Sequence, residues 1–229
     1  AWGVARVLRL GHAALGTQSV DEARDARLQS PSSTLAPTME AEAACCREQR
    51  MVARLRACTA KPASSNASTL GTHAITGGLG GLGIRAAEHV LSGASRVLLA
   101  SRSGRVVRDG QGLAARLLSL GTAAAVAACD SASAEAMHAL LSITSLAGVL
   151  HTAGVSDKGL LVQLEAQRTE WMSVPKALGA WHLQCAAAAA PLEARVAFSR
   201  VGAGRGYVGQ ASYAAANACL VWHALSRRA

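Results

Sequence analysis

Near the end of the chain, the run GQASYAAANA sets Tyr213 and Asn217 four residues apart, a spacing that puts both side chains on one face of a helix. A phenol can protonate a nascent alkoxide when a neighbouring cation draws its pKa towards neutrality. The candidate cation is Lys176, in SVPKALGAW. These residues alone leave two readings open: proton transfer, or ordinary packing of a tyrosine in an alanine-rich helix.

Further upstream, THAITGGLGGLGIRA crowds five glycines into seven positions. Gly78, Gly80 and Gly83 satisfy GxGxxG, while Thr76, Gly77, Gly81 and Gly83 satisfy TGxxxGxG. A strand precedes the stretch and a helix follows it, the setting in which bare backbone grips a pyrophosphate at a helix N-terminus. Thr76, Gly77, Gly78, Leu79, Gly80, Gly81, Leu82 and Gly83 are therefore expected to cradle a dinucleotide. The next strand ends in SRSGR, with Ser101 and Arg102 where a carboxylate would select NAD. A guanidinium there suits the 2'-phosphate of NADP instead. Asp130 closes a third strand and either accepts from the adenine amino group or caps the helix beginning at Ser131; the residues leave both open. The fourth strand ends in HTAG, putting His151, Ala153 and Gly154 beside the nucleotide, with His151 more structural than proton-donating.

The elements that must hold these residues alternate along the chain. HAITG, SRVLLASR, AAAVAACD, LAGVLHTAG and EARVAFSR read as strands. IRAAEHVLSG, GLAARLLSLG, SAEAMHALLS, most of residues 160–190 (the CAAAAA tract included) and SYAAANACLVWHALSRR read as helices. That order predicts βαβ units and an α/β, Rossmann-like, doubly wound parallel sheet. Residues 1–28 show no strong single period. QSPSSTLAPT is loop by composition, MEAEAACCRE is helix-like, QRMVARLRA reads as a strand, and TAKPASSNAS reads as a linker.

Composition narrows the class. Among the 229 residues no uncharged apolar run reaches the roughly 20 needed to span a bilayer, so a soluble, cytoplasmic chain without membrane contact is expected. The opening residues are interrupted by Arg and His, unlike a signal peptide, and the chain reads as part of something longer. Six cysteines without CxxC spacing point to buried free thiols rather than disulfides or a metal site. The formal charge of +9 comes from scattered arginines, with few aromatics and no recognition motif, so nucleic-acid binding is not expected.

From residue 70 onward the chain resembles the ketoreductase domains of modular polyketide synthases and related animal-type fatty acid synthases, a branch of the short-chain dehydrogenase/reductases. TGGLGGLG, LLASRSG, HTAGV, PKALGAWHL and GQASYAAANA carry the likeness. Stand-alone members of the superfamily place a lysine four residues after the tyrosine. The synthase-embedded branch puts asparagine there and brings lysine from the preceding helix, as Asn217 and Lys176 do here. The resemblance implies NADPH-dependent reduction of a β-ketoacyl thioester carried on the phosphopantetheine arm of an acyl carrier protein, with other synthase domains in cis. It implies further that residues 1–60 are the tail of a cofactor-free structural subdomain, 61–69 a linker, and 70–229 the catalytic subdomain lacking its last strands and lid. It also aligns Arg200 with the family's catalytic serine. Losing one oxyanion donor typically costs ~10²- to 10³-fold in rate, though arginine can itself donate and its bulk could fill the ketone's space. The neighbouring Ser199 should point to the opposite face. Product configuration is not legible, because Ser156, Asp157 and Lys158 stand in one branch's LDD motif and Arg205 in the place of the other branch's tryptophan.

Overall fold

Unbroken apolar strands need cover on both faces, and the described part of the chain provides it for the three central strands of its large sheet. The computed structural model describes residues 2–15, 17–22, 40–46, 49–52, 54, 71–143, 145–188 and 190–226. The strands are β1 (Ser19–Glu22), β2 (Glu42–Cys46), β3 (Gln49–Met51), β4 (Thr72–Thr76), β5 (Arg96–Ser101), β6 (Ala124–Ala128), β7 (Leu146–His151) and β8 (Ala194–Ala197). The helices are α1 (Trp2–Gly11), α2 (Gly81–Val90), α3 (Leu113–Ser119), α4 (Ala134–Ser142), α5 (Ala166–Ser173), α6 (Gly179–Ala186), α7 (Val201–Arg205) and α8 (Ala211–Leu225). A π-helical turn, Val174–Leu178, joins α5 to α6.

The large sheet is parallel throughout, in the order β6-β5-β4-β7-β8. Successive strand residues alternate faces. Ala74, Leu98, Ala100 and Val149 enter one core with Met137 and Leu140 of α4 and Leu183 of α6. Ile75, Val97, Leu99 and Leu150 enter the other with Ala86 and Ala87 of α2. The strand order reverses between β4 and β7, which opens a crevice at the carboxyl ends of those strands. This is the expected doubly wound fold. Among the described residues no helix is long and apolar enough to cross a membrane.

A second sheet pairs β1 with β2 in parallel and β2 with β3 antiparallel. Its β2 replaces the helix expected over MEAEAACCRE. Ladders on both sides of the strand outweigh an Ala/Glu helix preference worth only tenths of a kcal/mol per residue. Residues 2–11, which show no single period in sequence, form α1. Val7 packs on Ala211 and Ala214 of α8, while Arg6 and Arg9 both reach the carboxylate of Glu42. Its arginines therefore do not mark a solvent face, and the sequence pattern is blurred. The hydrogen bond from Arg6, with both nearby charges, holds the Glu42 carboxyl below the usual carboxylate range.

Three more expectations are revised. The helix expected through CAAAAA stops at Ala186, because Arg195 Nη2 donates to the carbonyls of Ala187 (2.6 Å) and Ala190 (3.0 Å). Cys129 is buried, but Cys185 and Cys219 are exposed. Asp130 does not cap α4: Ser133 does, its hydroxyl accepting from the Ala136 amide. The loop 29–38 and the linker 59–68 lie outside the described residues.

One buried side chain ties the glycine turn to the lysine. His151, 1% exposed at the end of β7, has Nδ1 2.7 Å from the Thr76 hydroxyl and Nε2 3.2 Å from the Lys176 carbonyl. A carbonyl can only accept, so Nε2 carries the proton and Nδ1 accepts from Thr76. Burial, reinforced by the Lys176 charge, pushes the His151 pKa down to about 4. A native state that resists protonation binds fewer protons than the unfolded chain between pH 4 and 6.5, so stability is full above pH 6.5 and falls with pH through that window. Denaturant unfolding should show about 3 kcal/mol lost from this group by pH 4, an increment that His151→Gln removes. Equal pH slopes in the two proteins would contradict the buried neutral imidazole.

Candidate active site

The glycine turn follows β4 and leads into α2. Gly77 has φ +68°, and a Cβ there would lie 2.6 Å from the Ala153 backbone; only glycine lets the β4 turn and the β7 loop close to this distance. Gly78 is pinned to β5 instead, its amide donating to the Ala100 carbonyl at 2.9 Å. The N-cap of α2, Gly80, makes no side-chain capping bond, and no acidic residue occupies the first turn. The first amides of this helix therefore face the crevice without a side-chain acceptor, the arrangement that receives an anion.

That crevice is a cleft of about 710 Å³. Of the residues expected to bind cofactor, Thr76 to Gly83 line it with the exception of Gly78, as do Ser101, Arg102, Ala153 and Gly154. His151 stands behind the wall, bonded to Thr76. Asp130 turns back on its own loop, with Oδ1 accepting from the Ala132 amide at 3.0 Å. The cleft has contributors that sequence reasoning missed. Arg105 and Arg108 join Arg102 at its β5 end, and Trp171 and Pro175 stand on the β7 side. The arginine spacing of three in SRSGRVVR was the available signal for the first pair; nothing local announced Trp171. None of the three arginines has an acidic partner among the described residues.

The second half of the site gathers around α8. Lys176 lies in the π-helical turn, a widened turn that accommodates Pro175, which has no amide proton to give. Its side chain, 5% exposed, runs so close to Gly154 that a Cβ there would sit 2.8 Å from Lys176 Cε. The ammonium donates to the Phe198 carbonyl at 3.1 Å and lies 5.5 Å from the Tyr213 ring centroid. Burial lowers its pKa from 10.5 to about 8. Asn217 is fully buried, and its Nδ2 donates to the Tyr213 carbonyl at 2.7 Å. Asn217 Oδ1 has no partner among the described residues, the kind of unmet acceptor that calls for a functional explanation.

Three consecutive residues beyond β8 each touch one member of this group. The Phe198 carbonyl holds Lys176. The Ser199 hydroxyl donates to the Asn217 carbonyl at 3.3 Å, which keeps it from standing in for Arg200. The Arg200 guanidinium carbon lies 5.7 Å from the centroid of Tyr213 and 5.8 Å from that of Tyr207. The structure thus brings Lys176, Tyr213, Asn217 and Arg200 together, with the two cations 5.5 and 5.7 Å from the Tyr213 ring centroid. Tyr213 itself borders a small recess with Asp157, Arg168 and Met172, beside the large cleft rather than in its wall.

Comparison with known proteins converges on one family. The KR domain model matches residues 71–229. Polyketide synthase GfsA of Streptomyces halstedii is 43% identical over 165 residues, covering 69% of the chain and 2% of that synthase. The PKS-NRPS hybrid synthetase acdB of Aspergillus candidus is 34% identical over 233 residues, 96% of the chain and 9% of the synthetase. Among solved structures, an A-type ketoreductase from a modular polyketide synthase superposes with a TM-score of 0.87 at 33% identity, covering 99% of this chain and 50% of that one. PlmKR1, the ketoreductase from the first module of phoslactomycin biosynthesis in Streptomyces sp. HK803, gives 0.87 at 31%, covering 99% and 54%. The chain spans a few per cent of these curated relatives and about half of these solved domains. With its parallel sheet, glycine turn and lysine, tyrosine and asparagine grouping, the chain belongs to the KR domain family, the ketoreductases of polyketide synthases within the short-chain dehydrogenase/reductase superfamily.

Proposed function

We propose that this chain carries the NADPH-dependent reduction of a β-ketoacyl thioester, presented by an acyl carrier protein, to the β-hydroxyacyl thioester, with the other synthase domains in cis. The observation that carries the reading is the desolvated Lys176 ammonium 5.5 Å from the Tyr213 ring, next to a glycine-lined cleft. The residues fit the cofactor. The uncapped start of α2 would take the pyrophosphate, Arg102 with Arg105 and Arg108 the 2'-phosphate, and Ala153 and Gly154 the nicotinamide side. NADPH, when bound, supplies the hydride.

The chain's own groups do the rest. Tyr213 donates a proton to the carbonyl oxygen as it becomes an alkoxide. Lys176 favours the tyrosinate left behind, and more strongly because its charge is desolvated. Asn217 fixes the helix turn that bears the phenol. The chain's formal charge of +9 suits an acidic carrier domain.

A second reading is a non-catalytic module whose folded body supports neighbouring synthase domains. It is favoured by Arg200, a bulky cation against the phenol where the family carries serine. The two readings part on cofactor binding: NADPH at 100 times its Kd should raise unfolding stability by about 2.7 kcal/mol, whereas the second reading expects no change.

Three outcomes follow for the reductase. At Gly81 an added Cβ meets nothing closer than the Gln111 side chain, at 3.3 Å. Gly81→Val should therefore fold normally yet bind NADPH on the order of tenfold more weakly, because it crowds the anion site; undiminished affinity would move the pyrophosphate elsewhere. Tyr213→Phe should lower kcat with acetoacetyl thioester by ~10²- to 10⁴-fold without changing NADPH affinity, and wild-type turnover in that variant would remove the phenol from the reaction. Because Lys176 is charged below about pH 8 and neutral above it, turnover should fall as pH rises through 8; a rate level up to pH 10 would contradict the assignment.

A further inference from the structure

Arg200 is the described residue at the site whose chemistry the family's reaction does not supply. It lies on extended backbone (φ −134°, ψ 150°) at the N-cap of α7. Its guanidinium carbon is within 6 Å of two aromatic rings, 5.8 Å from Tyr207 and 5.7 Å from Tyr213. Among the described residues no carboxylate pairs with it, and no carbonyl or hydroxyl accepts from its side chain. Two rings at these distances attract a guanidinium, and with no acceptor among the described residues its planar set of N–H donors is unspent. The result is a fork of donors beside the Tyr213 ring. Ser199 cannot compete for that role, since its hydroxyl is spent on the Asn217 carbonyl.

A fork of two parallel N–H groups matches a pair of oxygens held on the same side of a short chain, as in a carboxylate. A β-ketoacyl thioester has such a pair, because its ketone and thioester carbonyls are separated by one carbon and can lie side by side. A single serine hydroxyl can reach one of them. We propose that Arg200 grips both carbonyl oxygens of the β-ketoacyl thioester through the two N–H groups of its guanidinium edge, making the 1,3-dicarbonyl unit the feature this site selects. This rests on the reductase reading for the identity of the substrate, but it goes beyond that reading by assigning recognition to a residue that replaces the family's serine. In this arrangement the ketone oxygen faces Arg200 and Tyr213 together, so alkoxide charge builds between a permanent cation and a proton donor. The thioester oxygen is held by the second arm. A simple ketone, or one with its carbonyls further apart, engages one arm only and loses a charge-assisted hydrogen bond worth on the order of tenfold in affinity.

Calorimetric titration of the chain with two N-acetylcysteamine thioesters tests this. One is acetoacetyl, with 1,3-carbonyls; the other is 4-oxopentanoyl, with 1,4-carbonyls. Titrations are run with and without NADP⁺, the oxidised cofactor that permits no reduction. Failure of NADP⁺ to bind counts against the reductase reading, while the dicarbonyl preference is still read on the unliganded chain. Wild type should prefer the acetoacetyl compound by about tenfold. Arg200→Lys keeps the charge but lacks the fork, and Arg200→Ser restores the family's side chain; both should bring the ratio close to one. The side chain is exposed and pairs with no described carboxylate, so both variants should keep the wild-type unfolding midpoint. Equal wild-type affinities, no binding of either thioester, a preference retained by Arg200→Lys, or tighter acetoacetyl binding by Arg200→Ser would overturn the proposal. The last of these would make Arg200 a plug.

Discussion

The site depends on an ammonium group held out of water against the tyrosine ring. A lysine buried this deeply is costly to charge, and here the cost is offset by one carbonyl, that of Phe198, and by the ring of Tyr213. Each surrounding element is arranged to keep that amine where it is. The π-helical turn aims the side chain inward, Gly154 clears the space its stem occupies, and His151 clamps the carbonyl of the same residue. Because His151 also bonds Thr76, the glycine turn and the lysine turn share one buried strut. A shift in the first is felt at the second.

The segment from Phe198 to Arg200 joins the large sheet to α8. Phe198 takes its place from β7, its amide donating to the His151 carbonyl at 3.1 Å. The next two residues then reach α8. That helix is backed from the other side by α1, whose Val7 packs on Ala211 and Ala214. Gly3 lies so near α7 that a Cβ there would be 2.4 Å from the Ala203 carbonyl. The N-terminal part is therefore more than a neighbour of the large sheet: it supports the helix bearing the phenol, and Glu42 fixes it in place by binding Arg6 and Arg9.

Much of this was legible in the sequence because it rests on local rules. Glycine spacing between a strand and a helix announced the turn, and the four-residue interval announced that Tyr213 and Asn217 share a face. Strands alternating with helices announced the sheet. What escaped the sequence was set by partners distant along the chain. The strand β2 exists because β1 and β3 pair with it, although its alanines and glutamate favour helix. The helix α1 hides its period because two of its arginines turn inward to Glu42. Gly78 fits the nucleotide motif, yet it faces Leu99 and Ala100 of β5. Of the two roles left open for Asp130, capping falls to Ser133, three residues on. The contribution of Trp171 and Pro175 to the cleft wall appears only once the π-helical turn has set their direction.

The central claim is that Lys176 is a desolvated cation held beside the ring of Tyr213. Its most direct test is an NMR titration of the Lys176 ε-amine, assigned by comparison with Lys176→Met. A midpoint near 8, where burial places it, is the result this structure predicts. A midpoint near the ordinary lysine value of about 10.4 would contradict it.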